Sequence, residues 1–169
     1  MSDHFASAPA PEPSRPVRHR PAHPPVIEGA DHALIVFLTI CTHQRRACLA
    51  NPAAHEALLG AWHTAQNWRV GRYVLMPDHV HLFCAPGVWP PPPLRSWVAY
   101  WKRLATQALR ETDPAFEWQR DHWDTQLRRG QSYSEKWNYT RMNPIRAKLA
   151  TAPETWPYQG ELHRLFWHD

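Results

Sequence analysis

The sequence predicts an α+β fold: a ferredoxin-like sandwich in which an antiparallel sheet of four to five strands carries helices mainly on one face. Two observations predict it. Strand-like and helix-like hydrophobic periods follow one another in the order β-α-β-β-α with more helix behind, and the two middle strands meet at a short Pro-Asp turn that favours a hairpin.

The first strand-like run is HALIVFLTICT, residues 32–42, β-branched and aromatic as a central strand requires. Asn51 and Pro52 read as an N-cap and first helical position, and Ala57, Leu58, Ala61, Trp62 and Ala65 follow at helical spacing. RVGRYVLMP and HVHLFCAP read as two short strands around Pro77 and Asp78. The connector GVWPPPP lacks N–H groups that a helix or central strand needs. Beyond it Leu94, Trp97, Val98, Trp101, Leu104 and Leu109 form the apolar side of a helix, with Arg95, Lys102 and Arg103 elsewhere on its surface. TDPAFEWQRDHWDTQLRRG reads as irregular, and a last helix is expected to begin near Ser132 or Ser134.

Residues 1–30 hold seven prolines and almost no periodic apolar residues, so burial cannot offset the entropy of ordering them. They are expected to form a disordered, proline-rich arm, and residues 31–169 a single domain. The formal charge of +4 is concentrated: eleven Lys or Arg face six Asp or Glu between Arg95 and Lys148. That excess suits an anionic partner. Cys41, Cys48 and Cys84 are scattered, without a CxxC pair, which argues against a disulfide framework or a cysteine-rich zinc site. With no apolar run long enough to cross a bilayer and no signal-like apolar segment at the amino terminus, the protein is expected in the cytoplasm.

Two constellations could carry chemistry. In MPDHVHLF, His79 and His81 lie two apart and therefore on one face of a strand, while Val80 and Leu82 occupy the other. Such a pair can bind a divalent metal through two imidazole nitrogens and leave positions for a third ligand and a substrate oxygen. Taken alone, such a pair is more often a half-exposed structural pair than a metal site. In EKWNYTRMNPIRAKL, Tyr139 and Asn143 are four apart, hence on one face of a continuous helix. A phenol beside a metal-bound phosphate is a competent nucleophile, and the asparagine could supply an oxygen ligand. Asn-Pro also reads simply as a helix start, and Tyr139 as a core residue.

The motifs MPDHVHL, WQRDHWDTQLR, YTRMNPIRAKLA and WPYQGEL, in that order and with a Lys-Arg pair in the helix after the first, resemble the REP-associated tyrosine transposases. These are a branch of the single-tyrosine HUH transposases. The resemblance runs from about Ile35 to about Leu165 and leaves out the arm. It implies a metal-dependent endonuclease and strand transferase acting on single-stranded DNA with palindromic hairpins. His79, His81 and Asn143 would be ligands of Mg2+ or Mn2+, and Tyr139 would form a covalent 5′-phosphotyrosine. Asp124 matches a frequently acidic position near the family's active site, where it would orient a ligand histidine or bind a DNA-facing loop. The chain departs from the family pattern at Thr140, which follows the tyrosine, and at Lys148, which replaces a glycine.

Lys102, Arg103, Arg120, Arg128, Arg129 and Arg141, with Arg95 and Arg146, could neutralise DNA phosphates. Among Trp97, Trp101, Trp118, Trp123 and Trp137, any that are exposed could stack unpaired bases. The family resemblance leaves both a monomer and a homodimer open, with Tyr139 acting in cis or in trans. An alternative is a domesticated, non-catalytic DNA-binding protein of the same fold. A histidine-motif nucleotide hydrolase is disfavoured because Phe83 stands where a third alternating histidine would be.

Overall fold

A computed structural model of the chain describes residues 34–127 and 130–165. The proline-rich arm, Arg128 and Arg129 lie outside the described residues. Chain order is β1 (Ile35–Cys41), α1 (Pro52–Thr64), β2 (Trp68–Met76), β3 (His79–Pro86), α2 (Leu94–Thr112), β4 (Trp123–Leu127), α3 (Gly130–Arg141), the single turn α4 (Asn143–Arg146) and β5 (Gln159–Glu161).

The five strands form one antiparallel sheet in the order β4-β1-β3-β2-β5. β3 lies between β1 and β2, antiparallel to both, which makes β1-α1-β2 a split βαβ unit. The expected ferredoxin-like order is therefore present, with β5 added along β2.

Period-two alternation sends each strand's side chains to two different cores. Val36, Leu38 and Ile40 of β1, with Val80, Leu82 and Cys84 of β3, face α1 and α2 and pack with Trp62, Trp97 and Trp101. Ile35, Phe37 and Phe83 face the other way and are covered by Tyr133 and Trp137 of α3. Two helices thus lie on one face and the third on the face that carries the histidines. The indole N–H of buried Trp97 donates to the Ala65 carbonyl (2.6 Å), tying α2 to the end of α1, and that of Trp68 to the Pro92 carbonyl (3.0 Å), fixing the proline connector to the sheet.

The α1 start matches the sequence expectation: the Asn51 side chain accepts from the Ala54 N–H at 2.9 Å, with Pro52 at the first helical position. Two expectations need correction. The segment read as irregular contains β4, a polar edge strand paired only with β1. The last long helix starts at Gly130, near Ser132 as expected. It ends at Arg141, so Tyr139 and Asn143 are not on one continuous helix: Met142 separates α3 from the turn that Asn143 begins.

Candidate metal and nucleophile site

The Pro77-Asp78 turn delivers β3 with His79 at its first position, paired with Cys41 of β1 and Met76 of β2. His81 follows on the same face, opposite Thr39 and Val74. The two imidazoles stand edge-on to each other, with Nε2 atoms 3.1 Å apart.

Each ring is held at its other nitrogen. His79 Nδ1 lies 2.6 Å from Asp78 Oδ1, and Asp78 Oδ2 is in turn held by Arg45 Nε at 2.7 Å. A carboxylate only accepts, so the proton of His79 sits on Nδ1 and its Nε2 carries a lone pair. The 3.1 Å contact then needs the proton of His81 on Nε2, which leaves His81 Nδ1 to accept from the Thr39 hydroxyl at 2.8 Å. A cation received by both Nε2 atoms would require the His81 proton to move to Nδ1. Thr39 accommodates that as well, because a hydroxyl accepts as readily as it donates.

Burial disfavours the charged form of both rings. It is the main cause that lowers His79, against the hydrogen bond and charge of Asp78, which raise it. His81 is lowered to about 3, first by burial and then by the adjacent His79, which opposes a second positive ring, and by the charges of Lys136 and Arg45. Neutral imidazole is the form that ligates metal. The donor set fits a divalent cation in a second respect: two ligands at bonds of about 2.1 Å and right angles stand about 3.0 Å apart, close to the Nε2 spacing observed. Among the described residues no group of three His, Cys, Asp or Glu is placed to hold a metal ion, so a third protein ligand must be of another type.

α3 crosses this face of the sheet. Phe37 stacks on His81 (centroids 5.3 Å apart, planes at 19°), and the Lys136 ammonium lies 4.8 Å from the Phe37 ring centroid on α3's side. Tyr139 is one turn beyond Lys136 on the same side of the helix and is exposed, at 60%. Past the break at Met142, Arg146 folds back: its Nη1 donates to Asn143 Oδ1 (2.7 Å) and to the Tyr139 carbonyl (3.1 Å), and its guanidinium carbon lies 3.9 Å from the Tyr139 ring centroid.

The structure thus brings His79 and His81 together, and joins Tyr139 to Asn143 through Arg146. It separates Asp124 from the histidines. Asp124 pairs with Leu38, so its side chain projects to the α1/α2 face, beside Cys84. Asp78 is the carboxylate that orients a site histidine, and Arg45, Thr39 and Lys136 complete the surroundings; none was singled out from sequence. The signal for Asp78 was its place next to His79, whereas Thr39 and Lys136 needed the strand register and the helix crossing.

The basic residues divide. Lys102 donates to the carbonyls of Gln119 (2.7 Å) and Arg120 (3.4 Å), and burial lowers it, which makes it an internal strut. Arg141 is paired with Glu154. Arg103 lies over Tyr100 on the exposed side of α2, behind the sheet from the histidines, and Arg120 is exposed. Of the five tryptophans considered, Trp97 and Trp101 are buried, Trp118 and Trp137 partly so, and only Trp123 is exposed. It stands opposite Thr39, on the histidine face.

The architecture is that of an α+β protein with a two-histidine site on an antiparallel sheet. Among solved structures it is similar to a REP-associated tyrosine transposase bound to a REP hairpin, with a TM-score of 0.61 at 17% identity over 76% of each chain. A provisionally assigned transposase from Deinococcus radiodurans R1 overlaps at a TM-score of 0.49 and 16% identity, over 73% of this chain and 97% of that one. No family model and no curated protein matches the sequence. The likeness in space establishes the fold. Among the described residues no helix is long and apolar enough to cross a membrane.

Proposed function

We propose that the chain is a REP-associated tyrosine transposase of the single-tyrosine HUH type: a metal-dependent endonuclease and strand transferase for single-stranded DNA beside palindromic hairpins. The observation that carries this reading is the convergence of the His79 and His81 Nε2 atoms at 3.1 Å on the sheet face crossed by the tyrosine helix. The hairpin bound to the structural counterpart supports the choice of substrate.

His79 and His81, with the Asn143 amide oxygen, would hold Mg2+ or Mn2+. When bound, the ion supplies charge neutralisation and polarisation at the scissile phosphate. Asp78 and Thr39 hold the two rings in orientation, and with both Nε2 atoms on the ion each would accept a hydrogen bond from the N–H at Nδ1 of its histidine. Tyr139 is the nucleophile: its oxygen forms a bond to phosphorus, the bond from phosphorus to the 3′ oxygen breaks, and the departing oxygen takes up a proton. The exposed phenol can release its own proton to solvent. The products are a 5′-phosphotyrosine and a free 3′-OH, which reverses the step when it attacks the adduct.

The test is cleavage of end-labelled hairpin oligonucleotides carrying single-stranded flanks of randomised sequence. Nicking that needs Mg2+ or Mn2+, stops with EDTA and is absent from Tyr139→Phe is expected. Binding of hairpins without any nicking, with metal and without, would replace this reading by the non-catalytic one.

A further inference from the structure

We propose that Arg146 is a phosphate-binding residue of this site, whose guanidinium receives the scissile phosphodiester beside the Tyr139 oxygen; the proposal rests on the endonuclease reading above. Three contacts place the group. It lies against the nucleophile's ring at 3.9 Å, and its Nη1 alone makes the bonds to the Tyr139 carbonyl and to Asn143 Oδ1. Nη2 and Nε donate to nothing among the described residues.

Charge separates Arg146 from Arg45, Arg46, Arg72 and Arg141. Arg45 is paired with Asp78, Arg46 with Asp113, Arg72 with Glu161 and Arg141 with Glu154. Arg146 has no carboxylate among the described residues; its partners are a neutral amide, a carbonyl and a ring face, and none of them cancels its charge. It is also exposed. A guanidinium with an open edge of two donors, uncancelled charge and a fixed stem is suited to a phosphate, which it meets in a two-bond fork.

The arrangement links the two functional residues as well. The same nitrogen touches Asn143 and the last turn of the tyrosine helix, so Arg146 bridges the break at Met142 that sequence spacing concealed. Capping that helix end is one task of the residue. Phosphate capture is a second, and the two can be told apart by salt.

Binding of a single-stranded, hairpin-containing oligonucleotide would be measured in EDTA, across salt concentrations, with the full chain carrying Tyr139→Phe so that no adduct forms. Adding Arg146→Gln is expected to weaken binding about tenfold and to reduce the slope of log K against log salt by about 0.7, the share of one phosphate contact on a single strand. Arg146→Lys, which keeps the charge, is expected to retain the slope. Unchanged affinity and slope in Arg146→Gln, with a lowered melting temperature, would overturn the proposal and leave a helix cap. So would an Arg146→Lys protein that loses the slope as fully as Arg146→Gln. If Tyr139→Phe alone binds no DNA, the endonuclease reading falls, and this proposal falls with it.

Discussion

Thr39 Oγ1 stands 2.8 Å from His81 Nδ1, across the β1–β3 pairing that sets these two residues opposite each other. The hydroxyl fixes the plane of a ring whose other nitrogen points at His79, and it serves either tautomer of that ring. Thr39→Val removes both abilities at nearly constant volume. Manganese affinity, read by titration calorimetry, is expected to fall by about 10- to 100-fold, the usual effect of losing an outer partner of a ligand histidine. Thr39→Ser should restore most of it.

Two carboxylates, one at the site and one on the opposite sheet face, are assigned opposite outcomes. Asp78 holds His79 Nδ1 at 2.6 Å, so Asp78→Asn is expected to lower manganese affinity to a similar degree as Thr39→Val. Asp124 lies on the other sheet face, so Asp124→Asn is expected to leave that affinity within about twofold. Equal losses in the two variants would contradict the register described here.

The metal-free protein should be acid-sensitive in a defined window. His81 has its folded value lowered to about 3, while an unfolded histidine titrates near 6.5. Below about 6.5 the unfolded state therefore binds the extra proton, and stability falls as pH drops toward 3. His79 is lowered too and acts in the same direction. The loss due to His81 approaches about 1.4 kcal/mol per pH unit well inside the window. Denaturant midpoints measured in EDTA at pH 7, 5.5 and 4.5 should show this fall, and His81→Gln should flatten it.

Much of this was legible in sequence, for identifiable reasons. β1, β2 and β3 are central strands, and α1 and α2 carry wide apolar faces, so strong hydrophobic periods marked them. β4 and β5 are edges, one polar and the other three residues long, and neither needs a pattern that stands out. The two-histidine face was readable because strand alternation is strict. The placement of Asp124 was not, because a strand unrecognised as such has no readable faces. The relation of Tyr139 to Asn143 misled for a related cause: four-residue spacing implies one face only while the helix continues, and it stops at Arg141.

Lys148 illustrates how a departure from the family pattern acquires a physical meaning. It occupies the position of the family's glycine and has φ of 57°, in the left-handed region that glycine adopts without a steric penalty. Lys148→Gly is expected to stabilise the chain by about 0.5–1 kcal/mol, the left-handed penalty less the extra flexibility of an unfolded glycine. Chemical denaturation would show it as a rise in midpoint at constant slope.

The central claim is that Tyr139 attacks DNA at a site organised by His79 and His81. Its most direct measurement is mass spectrometry of the protein after incubation with hairpin oligonucleotides and Mn2+, followed by digestion and sequencing of the modified peptide. The account predicts a nucleotide joined through phosphate to Tyr139, formed in the wild type and lost in His79→Ala, His81→Ala and Tyr139→Phe. An adduct on another residue, or cleavage that persists without Tyr139, would contradict it.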